Sequence, residues 1–442
     1  MPQPPLTLRL ALLAYRAGWY AAMPFVAGYL WRRGRRDPAY ARHWGERLGG
    51  GPGMAGAVWV HAVSLGEMRS AVPLVRALLD RGERVVTTHL TPAGRAAAQA
   101  AFGPEIAAGR VQVRYLPVET GAAWQRLWRK GRPRLGLVLE IEIWPVMIAE
   151  AARAGVPLWL VNSQVPARSL PRARRLGRLV GHPVAAVSGV LAKSERHAAR
   201  FRELGAPDVR VCGELRFDQP IPQEQLDAAA ALAPTLKGRG VVTVASVVAG
   251  EDDIYLAALA RMRAAMPAPP LAVYVPRAPE RFDETAARLA DGGLRVLRRS
   301  DWLDGALAGD GAALAEADVL LGDSMGEMWF YLALAQVVVV GGGFVEKGAH
   351  NVIEPLALAR PVLVGPHVWT IEYPGVEAET AGVMEICADA AALGDRLAAL
   401  LADPAAIAAA RARAAAFHGD HSGATARSLA ALAPILDGDR DD

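Results

Sequence analysis

The sequence predicts two α/β domains, each a doubly wound parallel sheet, that face each other across a cleft. Short apolar segments alternate with helix-length segments along most of the chain. Strands spaced in this way indicate a parallel sheet with right-handed crossovers. The alternation is interrupted once, at residues 220–240, where three prolines occur, and then it repeats. We therefore predict a first domain at residues 37–219, a linker at 220–240 and a second domain at 241–442.

Length and composition bound the class of protein. The 442 residues are enough for two or three domains with a core each. Hydrophobic residues make up 52% and charged residues 21%, as in globular rather than disordered chains. Cys212 and Cys387 are far apart and lack metal-ligand spacing, which predicts a reducing compartment, no disulfide framework and no metal site. The net charge of +4 is mild, and we predict no nucleic-acid partner.

Residues 1–36 are predicted to form a membrane anchor with a basic flank. Residues 6–30 are almost all apolar or aromatic and lack the cleavage site of a secretory signal. Their length suits a span, whereas Arg9 and Arg16, seven residues apart, favour a helix lying in the membrane interface. A buried core helix is a third interpretation. Arginines that follow at once favour the cytoplasmic face, namely Arg32, Arg33, Arg35 and Arg36.

A second basic run suits anionic lipid headgroups or substrate phosphates, although solvated helix arginines explain it almost as well. Its members are Arg168, Arg172, Arg174, Arg175 and Arg178.

The predicted strands follow in order. In the first domain they are residues 58–63, 84–89, 111–116, 135–140, 157–162, 187–192 and 209–212, with helices that include 70–80, 92–102 and 144–154. In the second domain they are residues 241–246, 271–275, 294–297, 319–321, 337–340 and 362–364, and alanine-rich helices close the chain.

Glu67 is the first candidate for chemistry. The first strand stops at Ser64-Leu65-Gly66-Glu67, which puts Glu67 at the carboxyl edge of the sheet, where open α/β sheets bind ligands. A carboxylate there can take a proton from a substrate hydroxyl. The alternative is that Glu67 only caps the next helix.

Three strand ends of the second domain point to a nucleotide. Gly341-Gly342-Gly343 follows one strand, and Asn351 and Glu354 come shortly after it, where a carboxylate suits a ribose diol. The segment 323–328 follows another strand and has the residues of an anion site. Arg277 leaves a third strand and can form two hydrogen bonds to a phosphate.

In order along the chain, these motifs resemble the 3-deoxy-D-manno-octulosonic acid (Kdo) transferases of lipopolysaccharide synthesis. The first-domain motifs are Ser64-x-Gly66-Glu67, Glu140-x-Glu142-x-Trp144-Pro145, Asn162 and Gly213-x-Leu215-Arg216-Phe217-Asp218. The second-domain motifs are Val275-Pro276-Arg277-x-Pro279-Glu280-Arg281-Phe282, Asp323-Ser324-Met325-Gly326-Glu327 and His350-Asn351-x-x-Glu354-Pro355.

The resemblance implies an inverting GT-B glycosyltransferase with two Rossmann-like domains and no metal cofactor. It implies CMP-Kdo as donor and a tetra-acylated lipid A precursor as acceptor, at the cytoplasmic face of the inner membrane. Glu67 would be the general base, with Glu142 and Arg216 stabilising the transition state. The donor site would include Ser246, Pro276, Arg277, Met325, Gly326, Glu327, Asn351 and Glu354. One or several additions would use the same motifs, so the number of sugars is left open.

The chain departs from the family pattern at several positions. The family has Asn-Ala-Arg where this chain has Asn162-Ser163-Gln164, and Ser-Thr-His at Ser246-Val247-Val248. Glu214 and Arg216 replace a family asparagine and lysine, and Ala278 replaces a histidine. Two alternatives therefore accompany the transferase hypothesis. One is a non-catalytic or altered-donor relative that binds CMP-sugar or lipid, and the other is a sugar-nucleotide 2-epimerase without an anchor.

Overall fold

The computed structural model describes residues 6–438, which divide into two compact units. Among these residues, the first unit comprises 6–219 and 422–438, and the second comprises 220–421. Each unit is built on a parallel sheet of seven strands. The alternation of apolar and helix-length segments predicts two doubly wound α/β domains, and the structure confirms them.

All seven predicted strands of the first unit are present. They are β1 (Val58–His61), β2 (Val85–His89), β3 (Val111–Tyr115), β4 (Leu135–Leu139), β5 (Leu158–Ser163), β6 (Gly189–Ala192) and β7 (Val209–Val211). They lie in the order β3-β2-β1-β4-β5-β6-β7. The strand order reverses between β1 and β4, and open sheets of this kind bind ligands at the carboxyl ends beside that point.

Within residues 6–219, nine α-helices precede or connect these strands. They are α1 (Leu6–Gly34), α2 (Trp44–Arg47), α3 (Leu65–Asp80), α4 (Pro92–Ala101), α5 (Gly103–Ala107), α6 (Gly121–Lys130), α7 (Pro145–Arg153), α8 (Leu170–Val180) and α9 (Glu195–Glu203). The predicted helices at 92–102 and 144–154 match α4 and α7 to within one residue at each end. The helix predicted at 70–80 begins five residues earlier, at Leu65.

The two faces of this sheet carry two separate apolar cores. Trp59 faces one core, with Trp124 and Trp128, while its neighbours Val58 and Val60 face the other. This alternation is the two-residue period of a strand. Because both faces are covered, β1 and β4 are wholly buried, which explains their continuous apolar sequences.

Helix α1 covers the first unit with one face and exposes the other. Leu12 and Tyr15 pack against the core of the unit, whereas Leu10, Leu13 and Phe25 are more than half exposed. No helix within residues 6–438 is both long enough and apolar enough to span a bilayer. Arg9 is exposed, but Arg16 faces the unit and pairs with Glu150, so the two arginines do not share one outward face.

The second unit contains the six predicted strands and one more. They are β8 (Val241–Val247), β9 (Leu271–Pro276), β10 (Val296–Arg298), β11 (Val319–Leu321), β12 (Val337–Val340), β13 (Val362–Val364) and β14 (Met384–Ile386). Their order is β10-β11-β9-β8-β12-β13-β14, which reverses between β8 and β12. Strand β14 was not predicted, because it is three residues long and its sequence, Met-Glu-Ile, carries little apolar signal.

Ten helices belong to the second unit. They are α10 (Gln223–Leu232), α11 (Asp252–Ala264), α12 (Phe282–Asp291), α13 (Arg299–Trp302), α14 (Gly311–Glu316), α15 (Met328–Leu334), α16 (Ile353–Ala357), α17 (Glu372–Thr380), α18 (Ala390–Ala402) and α19 (Pro404–His421).

Two predicted boundaries differ from the structure. Residues 220–240 are not a bare linker, because they form α10 and bury Leu232 and Leu236 in the core of the second unit. The last helix, α20 (Ala424–Gly438), does not belong to the second unit. It buries Leu432 and Leu436 in a core of the first unit. Apolar residues in alanine-rich helices do not reveal which core they join.

Candidate functional site

Glu67 lies where β1 gives way to α3. Ser64 is the N-cap of α3, and its hydroxyl accepts a hydrogen bond from the Glu67 amide at 3.4 Å. The Glu67 carboxylate accepts in turn from the amides of Ser64, at 3.1 Å, and of Val63. This reciprocal pair is a capping box, which explains why α3 begins at Leu65. The helix cap that the sequence offered as an alternative is therefore present, and it fixes the carboxylate at the carboxyl end of β1.

The surroundings of Glu67 make it a stronger base than an ordinary carboxylate. Burial, followed by the nearby charge of Glu142, raises the pKa of Glu67 to about 7. Glu140 adds a smaller effect in the same direction. The hydrogen bonds from Ser64 and Val63 lower the pKa without cancelling this rise. A group with this pKa can exchange a proton near neutral pH.

Glu142 lies in the connection between β4 and α7 and is half-buried. The indole Nε1 of Trp144 donates a hydrogen bond to its Oε2 at 2.5 Å. Burial raises the pKa of Glu142, and this hydrogen bond opposes the rise. The predicted base and the predicted stabilising acid thus belong to neighbouring strand ends, β1 and β4, at the point where the strand order reverses.

A buried ionic cluster lies beside these acids, and Lys193 at its centre belongs to none of the predicted motifs. Lys193, at the end of β6, places Nζ 2.8 and 2.7 Å from the two carboxylate oxygens of Glu140 and 2.7 Å from Oε2 of Glu214. Asn162 donates to both carboxylates, at 3.0 and 2.7 Å, and accepts from the Leu215 amide. Lys193 directly follows a predicted strand, and this position was the only sign of it in the sequence. Its burial depends on tertiary packing and could not be predicted.

Arg216 joins this cluster from the outside. It lies in a short 3₁₀ helix, and its Nη2 is 3.9 Å from Oε1 of Glu140. Burial alone would raise the pKa of Glu214, but Lys193 and Arg216 hold that pKa well below its usual range. Glu214 is therefore held as an anion, and Lys193 and Arg216 both lie close to the neighbouring Glu140 as well. The structure brings Arg216 to the same sheet edge as Glu67 and Glu142.

In the second unit, Ser246, Pro276 and Arg277 come together at the ends of β8 and β9. The Arg277 amide donates to the Val247 carbonyl at 2.9 Å, and Pro276 pairs with Val247 in the sheet. The Arg277 side chain is exposed, with Nη1 3.2 Å from His350 Nδ1. His350 immediately precedes Asn351, whose side chain accepts from the Ile353 amide at 3.0 Å. Glu354 is half-buried in the first turn of α16.

The triple glycine after β12 is required by close backbone packing. A Cβ atom on Gly342 would lie 2.3 Å from the Gly348 carbonyl oxygen, and Gly342 has φ of +90°. Glu251, which the sequence analysis did not single out, holds this loop from inside. Its buried carboxylate accepts from the amides of Gly342, at 2.8 Å, Phe344, at 3.1 Å, and Val248, at 3.1 Å.

Glu327 is engaged within the protein. Arg299 donates to both of its carboxylate oxygens at 2.6 Å, and Ser324 and Tyr331 also bond to it. Its neighbours Met325 and Gly326 are exposed after β11, and Gly326 has φ of +89°. Met325 and Gly326 are thus exposed, with the Gly326 carbonyl accepting from Gln225 at 3.0 Å, while the Glu327 side chain holds the turn.

Among residues 6–438, no group of three or more His, Cys, Asp and Glu side chains has the placement of a metal site. Transfer without a metal stays a prediction.

Comparisons with known proteins agree with the motifs. Residues 42–219 match the family model of 3-deoxy-D-manno-octulosonic-acid transferase. A 3-deoxy-D-manno-octulosonic acid transferase from Bordetella pertussis is 40% identical over 418 residues, which cover 92% of this chain and 96% of the relative.

Among solved structures, a glycosyltransferase from Rickettsia africae superimposes with a TM-score of 0.56 at 11% identity, covering 86% of this chain and 98% of that one. A putative UDP-N-acetylglucosamine 2-epimerase from Listeria monocytogenes gives 0.58 at 12% identity, covering 88% of this chain and 98% of that one. Because both classes share the fold, these two likenesses establish a GT-B-like architecture and do not choose between transferase and epimerase.

Proposed function

Since the chain belongs to the 3-deoxy-D-manno-octulosonic acid (Kdo) transferase family of glycosyltransferases, we propose that it moves Kdo from CMP-Kdo to the lipid A precursor lipid IVA, with inversion at the anomeric carbon. One observation carries the proposal. It is the half-buried carboxylate of Glu67, which has a pKa of about 7 and lies at the carboxyl end of β1. A general base for a sugar hydroxyl needs such a pKa.

The proposed reaction is a single displacement. Glu67 accepts the proton of the attacking acceptor hydroxyl as its oxygen bonds to the anomeric carbon of Kdo. The bond from that carbon to the CMP phosphate oxygen breaks, and CMP leaves with the electron pair. Positive charge develops on the donor sugar, and the carboxylate of Glu142 favours it. We assign Arg216, at the same sheet edge, to stabilisation of negative charge in the transition state.

The donor is assigned to the second unit on the strength of its motifs and of Arg277. The planar guanidinium of Arg277 is exposed and suits two hydrogen bonds to a phosphate. Ser246 and Pro276 lie at the ends of β8 and β9, Asn351 and Glu354 follow the glycine loop after β12, and the exposed Met325 and Gly326 follow β11. Because Arg299 already occupies the Glu327 carboxylate, we assign Glu327 the task of shaping this turn. No metal is required in this scheme.

The acceptor and the location rest on α1. Four apolar side chains, here called the outer face, are each more than half exposed: Leu6, Leu10, Leu13 and Phe25. Such a face suits a helix lying in the membrane interface. The arginines after α1 and those of α8 suit anionic lipid headgroups. We therefore place the enzyme at the cytoplasmic face of the inner membrane, where a lipid acceptor is within reach.

The raised pKa of Glu67 predicts a pH dependence. The base must be ionised, so kcat/KM is expected to be level above pH 8 and to fall about tenfold per unit well below the pKa of about 7. Initial rates at limiting acceptor concentration, taken in steps of about half a pH unit between pH 5.5 and 9, measure kcat/KM. A profile that is flat down to about pH 5.5 would remove Glu67 as this base.

Arg277→Ala is expected to weaken CMP binding by about 1.5–3 kcal/mol, the worth of a hydrogen bond to a charged group. This corresponds to roughly 10- to 150-fold in Kd, measured by calorimetry with CMP. Arg396, which pairs with Glu385 on the surface of the same unit, supplies the matched control. Arg396→Ala should bind CMP like the unmodified protein, and an equally tight Arg277→Ala would exclude Arg277 from the nucleotide site.

Leu10→Ser combined with Phe25→Ser is expected to release the protein from vesicles that contain anionic lipid. Each apolar side chain contributes about 1.5–3 kcal/mol when buried, so the two together lower partitioning by more than roughly 100-fold. Co-sedimentation measures the bound fraction. Val376→Ser, at an exposed apolar position of the second unit, is the control. Undiminished sedimentation of the double variant would mean that another surface binds the membrane.

A further inference from the structure

Helix α1 is fastened to the first unit by a buried charge. Arg16 Nη2 donates to Oε1 of Glu150 at 2.7 Å, and the Glu150 side chain is only 1% exposed. Glu150 also accepts from Gln125 at 3.2 Å and from Arg153 at 2.8 Å. Arg16, in a mostly apolar helix, thus pairs with a side chain of the protein interior. Because Gln125 and Arg153 donate to Oε2 of Glu150 and Arg16 donates to Oε1, loss of Arg16 would remove the donor to Oε1, and the contact therefore sets the rotation and register of α1.

One turn further along α1, Trp19 contacts Trp144, which belongs to the first-unit motif Glu140-x-Glu142-x-Trp144-Pro145. Its ring packs edge-to-face on the ring of Trp144, with centroids 6.2 Å apart and planes at 61°. Trp144 is the N-cap residue of α7 and donates its indole N–H to Glu142 at 2.5 Å. The first amides of α7 are held separately, since Val146 and Met147 donate to Glu119 at 2.6 and 3.2 Å. The backbone of α7 is therefore fixed, whereas the indole ring depends on its neighbours.

We propose that Trp19 is a positioning residue for the transfer reaction, which acts through Trp144 to hold the carboxylate of Glu142 in place. The helix that faces the membrane is then also a wall of the acceptor-side site. An indole ring can turn about its last side-chain torsion, which is broad and roughly two-fold. The edge of Trp19 restricts this turn and keeps Nε1 directed at Glu142. The inference rests on the proposed role of Glu142.

The same contact supports the charge of Glu142. Burial raises the pKa of this carboxyl, and the hydrogen bond from Trp144 lowers it. Loss of the N–H donor therefore both frees the carboxylate to move and favours its protonated form. Either effect weakens stabilisation of positive charge on the donor sugar, which acts on kcat rather than on donor binding.

The test uses the full-length protein with CMP-Kdo and detergent-dispersed lipid IVA, so that membrane binding does not enter. Trp19→Ala is expected to lower kcat by about 10- to 100-fold, as for misplacement of a reacting group by about 1 Å. The KM for CMP-Kdo should stay the same. Trp19→Phe, which keeps an aromatic edge, should restore most of kcat. Trp31→Ala is the matched control, since Trp31 lies twelve residues, about 18 Å, further along the same helix.

A double-mutant cycle separates positioning from mere stability. Trp144→Phe keeps the ring contact but removes the N–H donor, and it should lower kcat to a similar extent. Because both changes break one chain of contacts, Trp19→Ala should then add little to Trp144→Phe. Effects that multiply would overturn the proposal, as would an unchanged kcat in Trp19→Ala. If that variant does not fold, Trp19→Leu takes its place in the cycle.

The outcomes also separate this inference from the proposed function. If the unmodified protein transfers Kdo and the Trp19 variants match it, the function stands and the inference fails. If the unmodified protein transfers nothing, both fail together.

Discussion

Glu67→Gln is expected to lower kcat for Kdo transfer by roughly 10²- to 10⁴-fold, the usual contribution of a positioned general base. Glutamine has nearly the same shape, and its side-chain oxygen can still accept from the amides of Ser64 and Val63. The capping box at the start of α3 is therefore retained, while the ability to take a proton is lost. Initial rates with CMP-Kdo and lipid IVA measure kcat directly.

Calorimetry with CMP completes this experiment. Binding should be unchanged, because the residues proposed to hold the nucleotide belong to the second unit. Glu105→Gln, at a half-buried glutamate of the first unit that pairs with Arg76, provides the control and should retain full activity. Full activity in Glu67→Gln would leave Glu67 as a helix cap only. Lost CMP binding would point to a structural role.

Lys193→Met is expected to lower the free energy of unfolding by about 3–5 kcal/mol, as when one partner of a buried ion pair is removed. Methionine fills the same space but leaves Glu140 and Glu214 without the ammonium that contacts both. Loss of the ammonium costs more at Glu214 than at Glu140. The Glu214 side chain is only 1% exposed, and Arg216 would be the cation that remains near it. Urea denaturation followed by circular dichroism measures the change.

A second variant also removes the carboxylate charge of Glu214, which Lys193→Met leaves without its ammonium partner. Glu214→Gln combined with Lys193→Met should recover part of the lost stability, since glutamine can still accept from Asn162. The pH dependence gives a second check. Because the pKa of Glu214 is lowered in the folded protein, its charge stabilises the fold at pH values above the ordinary pKa of 4.5. This stabilisation is lost progressively as the pH falls from 4.5 toward the lowered pKa. A single variant as stable as the unmodified protein would mean that the cluster is not a paired charge site.

Strands were predictable from this sequence because their signal is local. Valine-rich segments such as β12 (Val337–Val340) are buried on both faces, and helix-length segments separate them. The misplaced elements lack such a signal. Strand β14 is three residues long, and α20 is alanine-rich like the helices of the second unit. The sequence of α20 does not indicate that Leu432 packs in a core formed by residues more than two hundred positions earlier in the chain.

The sequence predicts candidate residues where a familiar motif follows a strand end, and the structure places Glu67 after β1 and Arg277 after β9. Their roles stay predictions. Lys193 and Glu251 were missed because each depends on partners distant in sequence, Glu140 and Gly342. Glu327 is predicted to contact the nucleotide, and this stays a prediction. Its pairing with Arg299 could not be predicted, because no motif links the two residues.

Transfer of Kdo itself tests the central claim most directly. The purified full-length protein is mixed with freshly generated CMP-Kdo and lipid IVA, and the lipid is analysed by mass spectrometry, with Glu67→Gln run in parallel. We expect the unmodified protein to increase the lipid mass by one or more Kdo units, with release of one CMP for each, and the variant to give almost none. An unchanged lipid mass, in a protein that still binds CMP, would contradict the assignment of this donor and acceptor.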